Sequence, residues 1–149
     1  MTIDDIIKAV IKLSMRKQIK FNNGHIKVLQ ISDLQDNRFT CVDTLRFMEA
    51  AVKKIKPDLI VFTGDQLDVV DLWGKGERCR KNVEKAINRL FSVFESFDIP
   101  FVLTFGNHDR ETGLPNDEQA KIYAKMKNCI CFDDLNDGRP DVGTFNVPI

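Results

Sequence analysis

The sequence predicts an α/β layered fold with a largely parallel sheet flanked by helices. Three observations lead to it. Apolar runs at residues 26–31, 59–62 and 101–105 have the length and the β-branched or aromatic content of buried strands. Between them apolar residues recur at helical spacing, and this β-α-β-α-β order suits right-handed crossovers between parallel strands. With 149 residues, 43% of them hydrophobic and 30% charged, the chain has the size and composition of one globular core. A single domain over 1–149 is therefore expected.

Ile3, Ile6, Ile7, Val10 and Ile11 form one apolar face, the mark of an amphipathic N-terminal helix over 1–18. Asn22-Asn23-Gly24 supplies a turn into the first strand. From Thr40 the period becomes helical through Val42, Leu45, Met48, Val52 and Ile55, with Thr40 and Asp43 as a capping-box-like start and Lys56-Pro57 as the stop. The second strand follows, ended by Gly64. Val83, Ala86, Ile87, Leu90, Phe91, Phe94 and Phe97 mark a strongly amphipathic helix; Pro100 closes it before the third strand, which Gly106 stops. Asn116 with Gln119 opens a third helix, residues 129–132 read as a fourth strand, and 144–149 as a last extended piece.

Lys plus Arg and Asp plus Glu both number 22, so there is no overall field for nucleic acid or anionic membrane. No apolar run approaches the ~20 residues that span a bilayer, and Asp4, Asp5, Lys8 and Lys12 interrupt the stretch a signal peptide needs. Cys41, Cys79, Cys129 and Cys131 are too few and scattered for a disulfide framework, so a cytoplasmic location is expected. Cys129 and Cys131 read as ordinary strand cysteines whose side chains alternate faces. Packing is the favoured reading of Trp73 over stacking on a substrate, a solvated loop that of Lys75, Arg78, Arg80, Lys81 and Lys85 over a substrate-attracting rim, and a surface position that of His25.

In an open parallel sheet, ligand sites form beyond the carboxyl ends of the strands. The polar clusters lie there: Ser32-Asp33-Leu34-Gln35-Asp36, Gly64-Asp65-Gln66-Leu67-Asp68 and Gly106-Asn107-His108-Asp109-Arg110. Asp33 and Asp65, on adjacent strands, would repel unless a cation neutralised them or a proton was taken up. Each cluster alone is an ordinary turn, but their occurrence at three successive strand ends points to a shared site.

These motifs resemble the calcineurin-like metallophosphoesterases, whose Asp-x-His, Gly-Asp-x-x-Asp/Asn and Gly-Asn-His-Asp/Glu pattern appears as Asp33-Leu34-Gln35, Gly64-Asp65-Gln66-Leu67-Asp68 and Gly106-Asn107-His108-Asp109. Residues 26–110 carry the resemblance; 20–149 is similar to the N-terminal half of the purple-acid-phosphatase-like branch. It implies the first half of a four-layer αββα sandwich and metal-dependent hydrolysis of phosphoesters at a dinuclear centre. In that scheme Asp65 bridges two divalent ions, Asp33 and Gln35 hold the first, and Asn107 joins the second. His108 protonates the leaving oxygen or stabilises the phosphoryl charge, with Asp109 orienting it, and Arg110 adds a phosphate contact.

Two departures qualify the scheme. Gln35 stands where the family has His, which favours Mn or Mg over Zn or Fe. The family's later histidine ligands, including a Gly-His-x-His motif, have no counterpart, since His25 and His108 are the two histidines present. The expectation is a domain incomplete at its C-terminus, weakly active or inactive alone, with its missing half or a partner chain supplying ligands. The alternative is an inactive relic acting as a binding module. A nucleotide-binding α/β module is disfavoured, because neither G-x-G-x-x-G nor a P-loop lysine motif follows a strand.

Overall fold

The computed structural model describes residues 2–4, 19, 23–68 and 73–132. The expected N-terminal helix over 1–18 lies, beyond its first turn, outside the described residues, as does the extended piece at 144–149. Asn23 and Gly24 take φ of 52° and 78°, the left-handed turn expected before the first strand.

Strands β1 (Val28–Ile31), β2 (Leu59–Phe62) and β3 (Phe101–Leu103) form a parallel sheet in the order β1-β2-β3. Helices α1 (Val42–Ile55) and α2 (Gly76–Phe97) make the two crossovers, and α3 (Asn116–Tyr123) follows a 3-10 turn at Asp109–Thr112. The α/β fold class expected from the sequence is the one observed. Pairing on both sides leaves β2 almost wholly buried, while β1 alternates exposed and half-buried residues.

Helix α1 begins differently from the expectation. Thr40 adopts φ 41° and its Oγ1 donates to the Asn37 carbonyl at 3.3 Å, so the capping box does not form. The buried Asp36 carboxylate instead accepts the Cys41 N–H at 3.0 Å. Lys56 and Asp98 close α1 and α2 in the left-handed conformation that usually ends a helix.

The expected fourth strand reduces to one parallel bridge between Phe101 and Cys129. Phe101 donates to the Asn128 carbonyl at 2.8 Å and Ile130 donates to the Phe101 carbonyl at 3.0 Å. The Leu103 N–H then meets Cys131 Sγ at 3.4 Å where a ladder would offer a carbonyl. With the strand conformation broken, the face alternation expected of Cys129 and Cys131 is lost, and their buried thiols lie 3.6 Å apart.

The core is aromatic. Phe62 of β2 meets Phe91 and Phe94 of α2 at centroid distances of 4.7 and 5.0 Å and Phe101 of β3 at 5.9 Å; Phe91 also meets Tyr123 of α3 at 4.9 Å. Cys79, Val83, Ala86, Ile87, Leu90, Phe91 and Phe94 form the buried face of α2. Trp73 is buried, and its indole N–H donates to the Asp68 carbonyl at 2.9 Å, so it packs as expected. The basic cluster lies at the start of α2, with Arg80 paired to Glu118 and Lys81 to Glu77. No helix among the described residues is long and apolar enough to cross a membrane.

Truncating Phe91, at the centre of these ring contacts, is expected to cost about 3–5 kcal/mol in Phe91→Ala. Phe47, exposed on α1, should change stability by about 0.5 kcal/mol or less in Phe47→Ala. Urea unfolding of both variants checks the contrast.

Candidate functional site

Backbone pairing continues past the strand ends and carries the polar clusters with it. Asp33 donates to the Gly64 carbonyl at 3.1 Å, Gln35 to the Asp65 carbonyl at 2.9 Å, and Asp36 to the Gln66 carbonyl at 3.1 Å. The loop after β1 is thereby laid along the loop after β2. Asp33, Gln35 and Asp65 hold φ of 55°, 42° and 55°. Such left-handed turns cost non-glycine residues about 1–2 kcal/mol each, and their clustering at one end of the sheet is typical of a functional site.

The loop after β3 joins through Asp65. Its Oδ1 accepts the His108 N–H at 2.8 Å, and its carboxylate lies so close to Gly106 that a Cβ there would overlap Oδ1. A Cβ on Gly64, at φ 113°, would stand 2.8 Å from Gly106 Cα. Both glycines are thus required by the close approach of the two loops.

Asp109 occupies a different place from the one the family scheme implies. It is fully buried. Its Oδ1 accepts the N–H groups of Gln66 at 2.9 Å and Leu67 at 3.1 Å, and its Oδ2 those of Asp65 at 2.9 Å and Gly106 at 2.8 Å. Burial pushes its carboxyl above the ordinary carboxylate range; the N–H groups of Gly106, Leu67 and Asp65 oppose that shift. With its acceptors committed to four backbone donors, Asp109 holds the loops and does not orient the His108 ring. Gln119, expected to help open α3, is also buried, and its amide donates to the Asp109 carbonyl at 2.7 Å and the Leu114 carbonyl at 2.8 Å.

The group that reaches His108 is Glu111, which lies outside the three strand-end motifs. Its Oε2 lies 2.9 Å from His108 Nδ1. This hydrogen bond, the largest cause, together with the charges of Asp65, Glu111 and Asp68, raises the imidazole above its ordinary value against the opposing effect of desolvation. The signal was present as a His and a Glu three residues apart. Reading it required knowing that the segment forms a 3-10 turn.

Asp33, Gln35 and Asn107 are exposed and Asp65 is half-buried, so these four present side-chain oxygens in or beside the joined loops. Ser32 Oγ donates to Asp33 Oδ2. Arg110 is exposed on the 3-10 turn. Among the described residues no group of three or more His, Cys, Asp or Glu is placed to hold a metal ion. Two carboxylates and two amide oxygens have the chemistry to share one hard divalent cation with water. By themselves these four supply no imidazole, and two ions would need further imidazole or carboxylate ligands.

Asp109→Ala leaves four backbone N–H groups at the base of the site without their acceptor. It is expected to lose about 3 kcal/mol or more, since each buried unpaired donor costs about 1–3 kcal/mol. Amide hydrogen exchange should accelerate at Gln66, Leu67 and Gly106 before it does in the strands.

The calcineurin-like phosphoesterase family matches residues 26–147. The chain is 31% identical over 134 residues to the probable inactive purple acid phosphatase 29 of Arabidopsis thaliana, covering 78% of this chain and 32% of the relative. It is 30% identical over 132 residues to the probable inactive purple acid phosphatase 14 of the same plant, covering 77% and 31%. To the UDP-2,3-diacylglucosamine pyrophosphatase LpxG of Chlamydia muridarum it is 32% identical over 114 residues, covering 74% and 31%. The chain spans about a third of the length of these curated relatives. No solved structure matches it significantly. On the match across residues 26–147, the chain belongs to the calcineurin-like phosphoesterase family.

Proposed function

We propose that this chain provides part of a metal-dependent phosphoesterase site, in which Asp33, Gln35, Asp65 and Asn107 hold a hard divalent cation, Mn or Mg, and His108 acts on the leaving oxygen. The observation that carries the reading is the junction at Asp65. One residue takes Gln35 on its carbonyl and His108 on its carboxylate, joining all three strand-end loops. A bound cation supplies Lewis acidity toward a phosphoryl oxygen and lowers the pKa of coordinated water. The chain's own residues do the rest: Asp33 and Asp65 contribute negative charge, Arg110 offers two parallel N–H donors to phosphate, and His108 holds an exchangeable proton beside the Asp65 loop.

A second cation, as in the dinuclear scheme of the family, would need ligands beyond these four residues. One domain over 1–149 and a cytoplasmic setting belong to the same reading; four cysteines without a disulfide are compatible with that setting. A second reading, a catalytically inactive binding module, is favoured by the two relatives whose names carry the word inactive and by the Gln at position 35. Metal binding without turnover, even when the missing ligands are supplied, would select it.

Calorimetric titration with Mn is expected to show saturable binding that Asp65→Ala abolishes; unchanged binding in that variant rejects the site. Gln35→His should shift metal loading toward Zn or Fe, because imidazole is a softer ligand than an amide oxygen. Competitive loading followed by mass spectrometry reads this, and an identical profile removes Gln35 from the ligand set. In a form that hydrolyses an aryl phosphate, His108→Ala should lower turnover by about 10²- to 10⁴-fold with little change in metal content.

A further inference from the structure

We infer that Glu111 is the positioning residue of His108, fixing its ring so that Nδ1 is committed to the protein and Nε2 is the nitrogen that exchanges a proton. His108 has φ −81° and ψ −29°, so it is already helical when the 3-10 turn begins, and Glu111 donates its N–H back to the His108 carbonyl at 2.9 Å. In 3-10 geometry, residues three apart are eclipsed, which stacks the Glu111 side chain over the imidazole and closes the Oε2 to Nδ1 contact at 2.9 Å. The backbone of His108 is held at the same time by its N–H bond to Asp65 Oδ1 at 2.8 Å. Two carboxylates therefore grip one residue, Asp65 by its main chain and Glu111 by its ring.

The tautomer of a histidine is set by the partner of its other nitrogen. An ionised carboxylate accepts and cannot donate, so Glu111 requires a proton on Nδ1 in both the neutral and the charged ring. The inference rests on the reading of His108 as the group acting at the leaving oxygen. In that step a water oxygen bonds to phosphorus, the bond from phosphorus to the leaving oxygen breaks, and that oxygen takes the proton from Nε2. The ring is left neutral with its proton on Nδ1, and the water's proton passes to solvent. Asp109 takes no part in orienting the ring, because its carboxylate is filled by four backbone donors.

Long-range 1H–15N correlation on the 149-residue chain, at a pH above the titration of the ring, tests the hold directly. His108 is expected to show protonated Nδ1 and bare Nε2. Glu111→Ala should revert it to mixed tautomers, and Glu111→Gln, which keeps an acceptor oxygen, should retain most of the Nδ1-protonated form. The same tautomer ratio in the chain and in Glu111→Ala overturns the inference. In a form that hydrolyses an aryl phosphate, Glu111→Ala should lower kcat roughly 10- to 100-fold with KM little changed, less than the loss of His108 itself. Adding Glu111→Ala to His108→Ala should then cost nothing more; a further drop means Glu111 acts by another route and overturns it. Absence of turnover in every form defeats the reading of function, while the tautomer measurement still decides whether Glu111 holds His108.

Discussion

Four backbone N–H groups converging on one buried carboxylate set the shape of this molecule's functional end. Asp109 gathers donors from Asp65, Gln66, Leu67 and Gly106, which belong to the loops after β2 and β3. Carbonyls of the loop after β2 pair with the loop after β1, but the four N–H groups end on Asp109, so without it they would need water, and the site would open. The contact of Gly64 with Gly106 is the steric half of the same constraint: with no Cβ on either, the loops approach closely enough for one carboxylate to span both. Gln119 and Cys79 then brace the turn from α3 and α2, donating to the carbonyls of Asp109 and Thr112.

This arrangement separates the part of the chain that supplies stability from the part that supplies chemistry. Below the strand ends, Phe62, Phe91, Phe94, Phe101 and Tyr123 form a continuous aromatic cluster whose burial is the main favourable contribution to folding. Above them, Asp33, Gln35 and Asp65 adopt left-handed conformations that the packed core must stabilise. Three of the four residues named for the site are strained in this way, and their strain is tolerated because the backbone pairing of Gln35 with Asp65 and of Asp36 with Gln66 over-determines the loop path.

The proposed donor set has a definite chemical character. Asp33 and Asp65 bring charge, Gln35 and Asn107 bring neutral oxygens, and the nearby imidazole is already engaged at Nδ1 by Glu111. Oxygen donors of this kind would suit an ion that keeps water in its coordination sphere. A family resemblance alone would have assigned the orientation of His108 to its neighbour Asp109; the geometry gives that contact to Glu111 and gives Asp109 the task of holding the backbone.

The α/β order, the parallel sheet and the positions of the three polar clusters were legible in the sequence because each depends on local periodicity and on chain order. Helical spacing from Val83 to Phe94, a β-branched run at 59–62, and glycines at 64 and 106 can each be read without knowing what lies across the fold. The start of α1 departs from the local pattern at Thr40 because the capping acceptor, the Asp36 carboxylate, reaches the Cys41 N–H from an earlier loop whose path depends on pairing with the loop after β2. The expected fourth strand reduces to a single bridge because alternation at 129–132 does not encode whether β3 offers a matching ladder. The roles of Asp109, Gln119 and Glu111 could be decided only by tertiary structure. Whether a carboxylate faces an imidazole or four backbone N–H groups depends on how loops distant in sequence approach one another, and residue type and spacing do not encode that approach.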